Sequence, residues 1–294
     1  NCSSFWISVP VYHIIPRYLV MFFGVFANIL LVLGLFRDPL KCFRNSSSYL
    51  ITNLAISDIL THVSWFVLQY WRPCINGFSV HSLVYLPPYI GCSSIATMAF
   101  DRYMSCVHPC KYRIVITQNV TLSIIFFQWL LGLALLAIEM IIESDNWRGF
   151  NRGGMALSIV ISAAIMYGKT AYVVKKNSRY FSNMAEVSNT AQNRAQSARL
   201  INEKRLFTTM FLVSFITITT LVPLMIHVII LEKIYIAKER PNIYTRWGVD
   251  PVHAWLTTLF FVNFSINPFV YIWRLKNYRK TLKIILKNAG FRCF

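Results

Sequence analysis

Acidic residues are scarce in this chain: 11 Asp and Glu in 294 residues, against 29 Lys and Arg. Charge of either sign makes up only 14% of the residues, where soluble domains carry about 25%. That deficit argues against an ordinary soluble domain. Catalytic constellations are missing as well. No nucleophile–base pair, no His/Asp metal spacing and no Gly-rich phosphate loop is present, so an enzyme has nothing to rest on. The seven cysteines contain no CxxC and no pair at metal spacing. No internal repeat, low-complexity stretch or signal peptide is visible. The chain starts at Asn1 without a Met, which leaves room for an upstream segment, and its first apolar run could itself serve for membrane insertion.

What is present is apolar. Hydrophobic residues make up 56% of the chain, and the mean hydropathy is +0.50. Apolar runs lie near residues 14–36, 48–70, 78–104, 118–141, 154–175, 206–231 and 252–273. Each approaches the roughly 20 residues that a membrane-spanning helix needs. Helices are expected because lipid offers backbone groups no partner. The predicted fold class is therefore an all-α membrane bundle of seven transmembrane helices. It has an outer segment over 1–13, a bundle over 14–274 and a tail over 275–294.

Charge sets the expected topology. Arg17, Arg72, Arg148, Arg152, Lys233, Lys238, Arg240 and Arg246 fall on one side of the runs. The other 21 of the 29 basic residues fall on the opposite side. The richer side belongs in the cytoplasm, so the N-terminus is expected outside and the C-terminus inside. A net charge of +18 could also invite nucleic acid. The one-sided distribution has the simpler topological cause, with attraction to anionic membrane lipid as a second effect.

Asn1-Cys2-Ser3 is then a glycosylation sequon in the right compartment, with Asn1 as the acceptor. The matches at Asn119 and Asn263 lie inside or within the membrane and should be silent. Cys42, Cys106 and Cys110 fall on the reducing side. Cys2 and Cys74 fall outside and could pair. Cys293 beside the basic tail is either a palmitoylation site or a free thiol. After Trp273, Leu275, Tyr278, Leu282 and Ile285 alternate at helical spacing with Lys276, Lys280, Lys283 and Lys287. This predicts an amphipathic helix on the inner leaflet, or else a solvated helical tail. The stretch from Ala191 to Arg205 lacks Gly and Pro and could extend the sixth helix into the cytoplasm.

Polar residues inside the runs point to a job. Asn28, Asp58, Asn263 and Asn267 lie in the first, second and seventh segments. An Asp at mid-membrane costs about 2.5–3.5 kcal/mol on insertion scales. It is tolerated facing neighbours or a bound cation. One interior polar cluster is expected, acting as interhelical glue, as a switch or as both. Pro223 and Pro268 each remove a backbone donor and should hinge the sixth and seventh helices. Asp101-Arg102-Tyr103 sits at the cytoplasmic end of the third run, and Arg102 stays charged throughout the physiological range. Glu203 is placed either to pair with Arg102 across to the sixth helix or to sit in solvent.

Taken together, these residues resemble the rhodopsin-like (class A) G-protein-coupled receptors. The resemblance runs through Gly24-x-x-x-Asn28, Asn53-Leu54-Ala55-x-x-Asp58, Asp101-Arg102-Tyr103 with Pro109 and Tyr112, and Trp129. It continues through Tyr167 with Lys175, Glu203 with Pro223, and Asn267-Pro268-Phe269-Val270-Tyr271 before the amphipathic helix. This ordered set covers nearly the whole chain. It implies a plasma-membrane receptor whose agonist repacks the bundle and swings the sixth helix outward. Arg102, freed from Asp101 and Glu203, would then meet a heterotrimeric G protein, with Tyr167 and Tyr271 supporting the open state. Asp58, Asn28, Asn263 and Asn267 would form an ion-sensitive core, with sodium at Asp58 as the one ion implied. Arrestin and a receptor kinase are the family's further partners.

The departures fall on the ligand side. Gly77 stands near the place of the usual third-segment Cys, and the loop Glu143–Gly154 has none, so that disulfide is expected to be absent. Ile159 stands near the place of the fifth-segment Pro. Thr220-Leu221-Val222-Pro223 replaces Cys-Trp-x-Pro, Thr217 replaces a Phe, and Gly91 replaces a Ser near the sodium site. Pro87-Pro88 should distort the third helix. The Cys-free loop is similar to that of melanocortin, cannabinoid and lysophospholipid receptors, and Tyr278–Lys283 is similar to melanocortin and adenosine receptors. Val84 stands where amine receptors carry Asp, and Phe261 where opsins carry the retinal Lys, so neither an amine nor retinal is implied. The pocket would be lined by Val84, Tyr85, Pro88, Leu221, Met225, His227 and Phe261. That set suits a lipid or a hydrophobic peptide end. His81 and His227 either orient the ligand or simply pack.

Two other readings stay open beside the receptor. One is a receptor-like protein that binds without G-protein signalling. The other, weaker for want of a continuous polar path and an inverted repeat, is a transporter.

Overall fold

The computed structural model describes residues 11–71, 83–142, 161–173, 191–237 and 251–288. Side chains at 11, 13, 69–71, 113, 191–204, 206, 229 and 231–237 fall outside the described set. Asn1, Cys2, Cys74, Gly77, His81, the loop Glu143–Gly154, Ile159, Lys175, Cys293 and the Glu203 side chain therefore lie outside it too. The described residues form helices joined by turns. They are α1 (Val11–Arg37), α2 (Ser46–Trp71), α3 (Leu86–Val107), α4 (Pro109–Val115), α5 (Gln118–Ile141), α6 (161–173), α7 (Ala191–Ala237), α8 (Pro251–Arg274) and α9 (Lys276–Asn288). Five of them, α1, α2, α5, α7 and α8, contain spans long and apolar enough to cross a membrane.

The helix ends follow from local chemistry. Asn45 starts α2, its Oδ1 accepting from the Ser48 N–H at 3.0 Å. Thr117 starts α5, its Oγ1 accepting from the Val120 N–H at 3.3 Å. Both are side-chain caps on donors that the helix itself cannot satisfy. The α1–α2 turn holds two residues with positive φ, Asp38 at 33° and Lys41 at 50°. The Asp38 carboxylate anchors it by accepting from the backbone N–H of Cys42 at 2.9 Å and of Phe43 at 3.1 Å.

The distortion expected at Pro87-Pro88 is a break in the third segment: Leu83 is helical, residues 84–85 form a turn, and α3 runs from Leu86 with the prolines in its first turn. First-turn N–H groups have no partner in any helix, so proline costs nothing there. The helical extension of the sixth segment is borne out: α7 runs unbroken for 47 residues through Pro223.

α1 packs on α2 and α8, α2 on α3, and α7 on α8, while α5 lies against α2 and α3. Interior side chains form two apolar clusters. One, at the Arg102 end, gathers Leu31, Leu50, Leu54, Met98, Met210, Tyr167, Tyr271 and Tyr278. The other gathers Met21, Cys92, Leu221, Leu224, Phe260, Phe261 and Phe264. Outward faces are apolar as well, with Phe22, Phe23 and Phe26 on α1 and Phe126, Phe127 and Leu131 on α5 all exposed. Such belts are stable against hydrocarbon rather than water. On α9, Tyr278 and Thr281 turn inward while Lys276, Lys280, Lys283 and Lys287 are exposed, as its periodicity predicts.

Candidate functional site

The end of α3 carries a closed polar network. Asp101 and Arg102 are 3% and 4% exposed, so each charge must be met by a partner. Arg102 donates from Nε to Asp101 Oδ2 at 3.0 Å and again from Nη2 to the same oxygen. The carboxylate also accepts from the hydroxyls of Ser46 at 2.8 Å, Ser47 at 3.1 Å and Tyr112 at 2.9 Å. Thr121 on α5 extends the network by donating to Ser46 Oγ at 3.0 Å. Arg102 Nη2 reaches the Ser47 hydroxyl too. Four helices thus hold one ion pair. Burial, and then the neighbouring Asp101 carboxylate, push the Tyr112 phenol up, so it stays a donor. Pro109 opens α4 and positions Tyr112. The half-buried Tyr103 lies outside this network, its ring edge-on to His108 with 6.2 Å between centroids.

Tyr167 and Tyr271 are brought to the same interior cluster. Tyr167 packs against Phe207 and Phe211 of α7 at 5.9 and 6.0 Å. The Tyr271 hydroxyl is buried with no hydrogen-bond partner among the described residues.

The intramembrane polar residues form three adjoining contacts. Asn28 donates to the carbonyls of Gly24 and Phe264, both at 2.9 Å, and so ties α1 to α8. Asn267 donates to Asp58 Oδ2 at 2.8 Å, tying α8 to α2. Asn263 Oδ1 accepts from Thr217 at 2.9 Å, tying α8 to α7. The Thr217 departure thus supplies a hydrogen bond where an aromatic ring would supply none. Asp58 Oδ1, Asn267 Oδ1 and Asn28 Oδ1 are buried without hydrogen-bond partners among the described residues. A hard cation takes oxygen ligands of this kind. A methyl at Gly91 would lie 3.7 Å from Asp58 Oδ1, so glycine leaves room beside that oxygen. The donor set fits a sodium ion.

The ligand-side residues are packed closely. Val84, Leu221 and Phe261 are buried and Pro88 is buried at the start of α3. Tyr85 stands edge-on to Trp65 at 5.8 Å, and Trp65 in turn meets Phe261 at 5.8 Å. Met225 packs on the same apolar cluster, while His227 stacks on His253 at 5.8 Å.

Sequence reasoning missed several members. Ser46 and Ser47 lie just before the second apolar run and carry no mark of a role; only folding shows their hydroxyls on Asp101. Trp65 and His62 lie seven and four residues beyond Asp58, one helical face carrying all three. His62 is buried, 3.2 Å from Ser265 Oγ. Glu139 on α5 is buried too, and nothing in its neighbourhood in the chain marks it.

Residues 27–271 match the family model described as 7 transmembrane receptor (rhodopsin family). The chain is similar to the G-protein coupled receptor 183 of Mus musculus, at 24% identity over 92% of this chain and 80% of that protein. The Bos taurus protein of the same name is 24% identical over 92% of this chain and 79% of its own. The Homo sapiens one is 27% identical over 40% of this chain and 34% of its own.

Proposed function

Because the chain belongs to the rhodopsin family of seven-transmembrane receptors, we propose that it binds an extracellular ligand and activates a heterotrimeric G protein through outward movement of α7. One observation carries this reading: the Asp101–Arg102 pair is held in a buried network drawn from α2, α3, α4 and α5. A fixed cation so enclosed can reach a partner only if the bundle opens. Opening is a shift between two packings.

The parts divide the work as follows. Asp101, Ser46, Ser47 and Tyr112 hold Arg102 closed, with Glu203 as the further partner supplied by α7. Pro223 and Pro268 are the hinges, because each removes a backbone hydrogen bond. Tyr167 and Tyr271 support the open state. Asp58, Asn267 and Asn28 would hold sodium, which would favour the closed packing by filling their free oxygens. The apolar surroundings of Tyr85, Trp65 and Phe261 suit a lipid-like ligand or a hydrophobic peptide end. The receptor sits in the plasma membrane with its N-terminus outside and Asn1 glycosylated, and arrestin and a receptor kinase act on its open form.

A second reading has its own observation. Leu221 fills the place of the family's toggle aromatic and is buried in the apolar cluster, so ligand binding without coupling is the alternative. A panel of G-protein dissociation sensors in cells separates the two. Glu203→Ala should raise basal dissociation, and Arg102→Ala should abolish coupling at normal surface expression. Silence of the chain and of Glu203→Ala across the panel would favour binding without signalling.

A further inference from the structure

Away from the Arg102 end, two histidines face each other across α7 and α8. His227 lies one turn beyond Pro223 on α7, and His253 lies in the first turn of α8. Their ring centroids are 5.8 Å apart and their planes 28° apart. Both side chains are half-buried, so solvent reaches them. Their neighbours along each helix, Met225 and Val228 on α7 and Leu256 on α8, pack against the apolar cluster that holds Leu221 and Phe261. The backbone under His253 is held as well, its carbonyl accepting from the Thr257 hydroxyl at 2.7 Å.

Packing needs no particular ring here. Phe260 and Phe264 already meet edge-on at 4.8 Å in the same cluster. What histidine adds is a nitrogen lone pair in the ring plane, and the neutral imidazole is the commonest metal ligand among side chains. Two such rings, one from each helix, meet at this point. On one zinc ion, Zn–N bonds of about 2.0–2.1 Å at the tetrahedral angle put two imidazole ring centres about 5–5.5 Å apart. The observed separation of 5.8 Å is within about 1 Å of that. Histidine χ2 is a soft torsion, so ring rotation turns one nitrogen of each residue toward a shared point while the helices stay in place. No third His, Cys, Asp or Glu joins the pair among the described residues, so water fills the remaining positions and binding is reversible.

We infer that His227 and His253 bind a zinc ion between α7 and α8. Zinc suits a pair of imidazoles, whereas magnesium and calcium take oxygen ligands. The ion would tie the two helices one turn beyond Pro223, the pivot on which the receptor reading swings α7. It would bias the two packings to the extent that opening changes the separation of the two rings. That consequence rests on the receptor reading; metal binding does not.

Carbethoxylation by diethyl pyrocarbonate reads the site directly, because the reagent attacks the ring nitrogen that zinc would occupy. The full chain in phosphatidylcholine nanodiscs would be treated with and without zinc chloride and its peptides mapped by mass spectrometry. The exposed His108, at the Arg102 end, serves as internal control. Saturating zinc should slow modification of His227 and His253 about tenfold, with one shared midpoint, and leave His108 unchanged. Magnesium chloride at equal concentration should have no effect. His227→Asn should raise the midpoint for protecting His253 at least about tenfold, and His253→Asn should do the same for His227, since a single imidazole holds the ion poorly. His253→Cys keeps a zinc donor. Zinc should then still protect His227 and should also shield the introduced thiol from iodoacetamide, and this variant carries the test if an Asn variant misfolds. The inference is overturned by an absence of protection, which would leave the pair to packing alone, or by equal protection of His108 or from magnesium. Protection of one histidine that is unmoved when the other is replaced would overturn it equally.

Discussion

The hydroxyl of Tyr112 donates to Oδ1 of Asp101 at 2.9 Å, across the break between α3 and α4. It is the contact by which the segment after the helix holds the acid inside it. Tyr112→Phe keeps the ring and removes that donor. A hydrogen bond to a charged acceptor contributes about 1.5–3 kcal/mol. Part of that loss falls on the closed state alone. Basal nucleotide exchange on a co-expressed G protein should rise about three- to tenfold. An unchanged basal rate at equal surface expression would remove Tyr112 from the lock.

Helices α1 and α8 meet at Gly24. A methyl there would run into Ser265 Oγ and His62 Nε2. Ser265 cannot swing away freely, because its hydroxyl bonds to the carbonyls of Val20 at 3.0 Å and Phe261 at 2.9 Å. Gly24→Ala should cost about 1–3 kcal/mol by overpacking and lower the melting temperature of the purified protein. Gly168 on α6 is the control, with nothing among the described residues within 4 Å of its would-be methyl. Gly168→Ala should be neutral or stabilise by up to about 1 kcal/mol.

Sodium should matter through Asp58. Exchanging choline for sodium at constant ionic strength should raise the melting temperature of the wild-type protein. Asp58→Asn keeps a side chain of the same shape and removes the charge, and its melting temperature should not respond. An equal response in both proteins would place the effect elsewhere.

Cys42 should be a slow thiol. Burial first, and then the Asp38 carboxylate, push it up from the usual 9.0. The thiolate is the reactive form, so alkylation near pH 8 should run below that of a cysteine in an unstructured peptide. Its rate should keep climbing past the pH at which the peptide levels off. A plateau at or below the peptide's pH would contradict the environment described for this thiol.

Much of the bundle was legible because membrane helices announce themselves by long apolar runs and because Asp58, Arg102, Pro223 and Tyr271 fall at characteristic intervals. Pro87-Pro88 marked a distortion of the third segment, and only the fold shows its form: a turn over residues 84–85 with the prolines in the first turn of the helix that follows. Ser46 and Ser47 carried no mark of their role, since a hydroxyl reaches a carboxylate 54 or 55 residues away only through packing. Thr217 read as a lost aromatic. In the fold it is the donor that Asn263 requires.

The length of α7 has a mechanical consequence. Between Pro223 and the Ala191 end, the helix spans about 48 Å at about 1.5 Å per residue. Treated as a rigid arm on that pivot, a tilt of about 10° sweeps its far end through about 8 Å, while side chains one turn from Pro223 move by about 1 Å. A rearrangement too small to disturb the packing around Leu221 would thus become, at the other end of the same rod, a displacement as wide as a helix is thick.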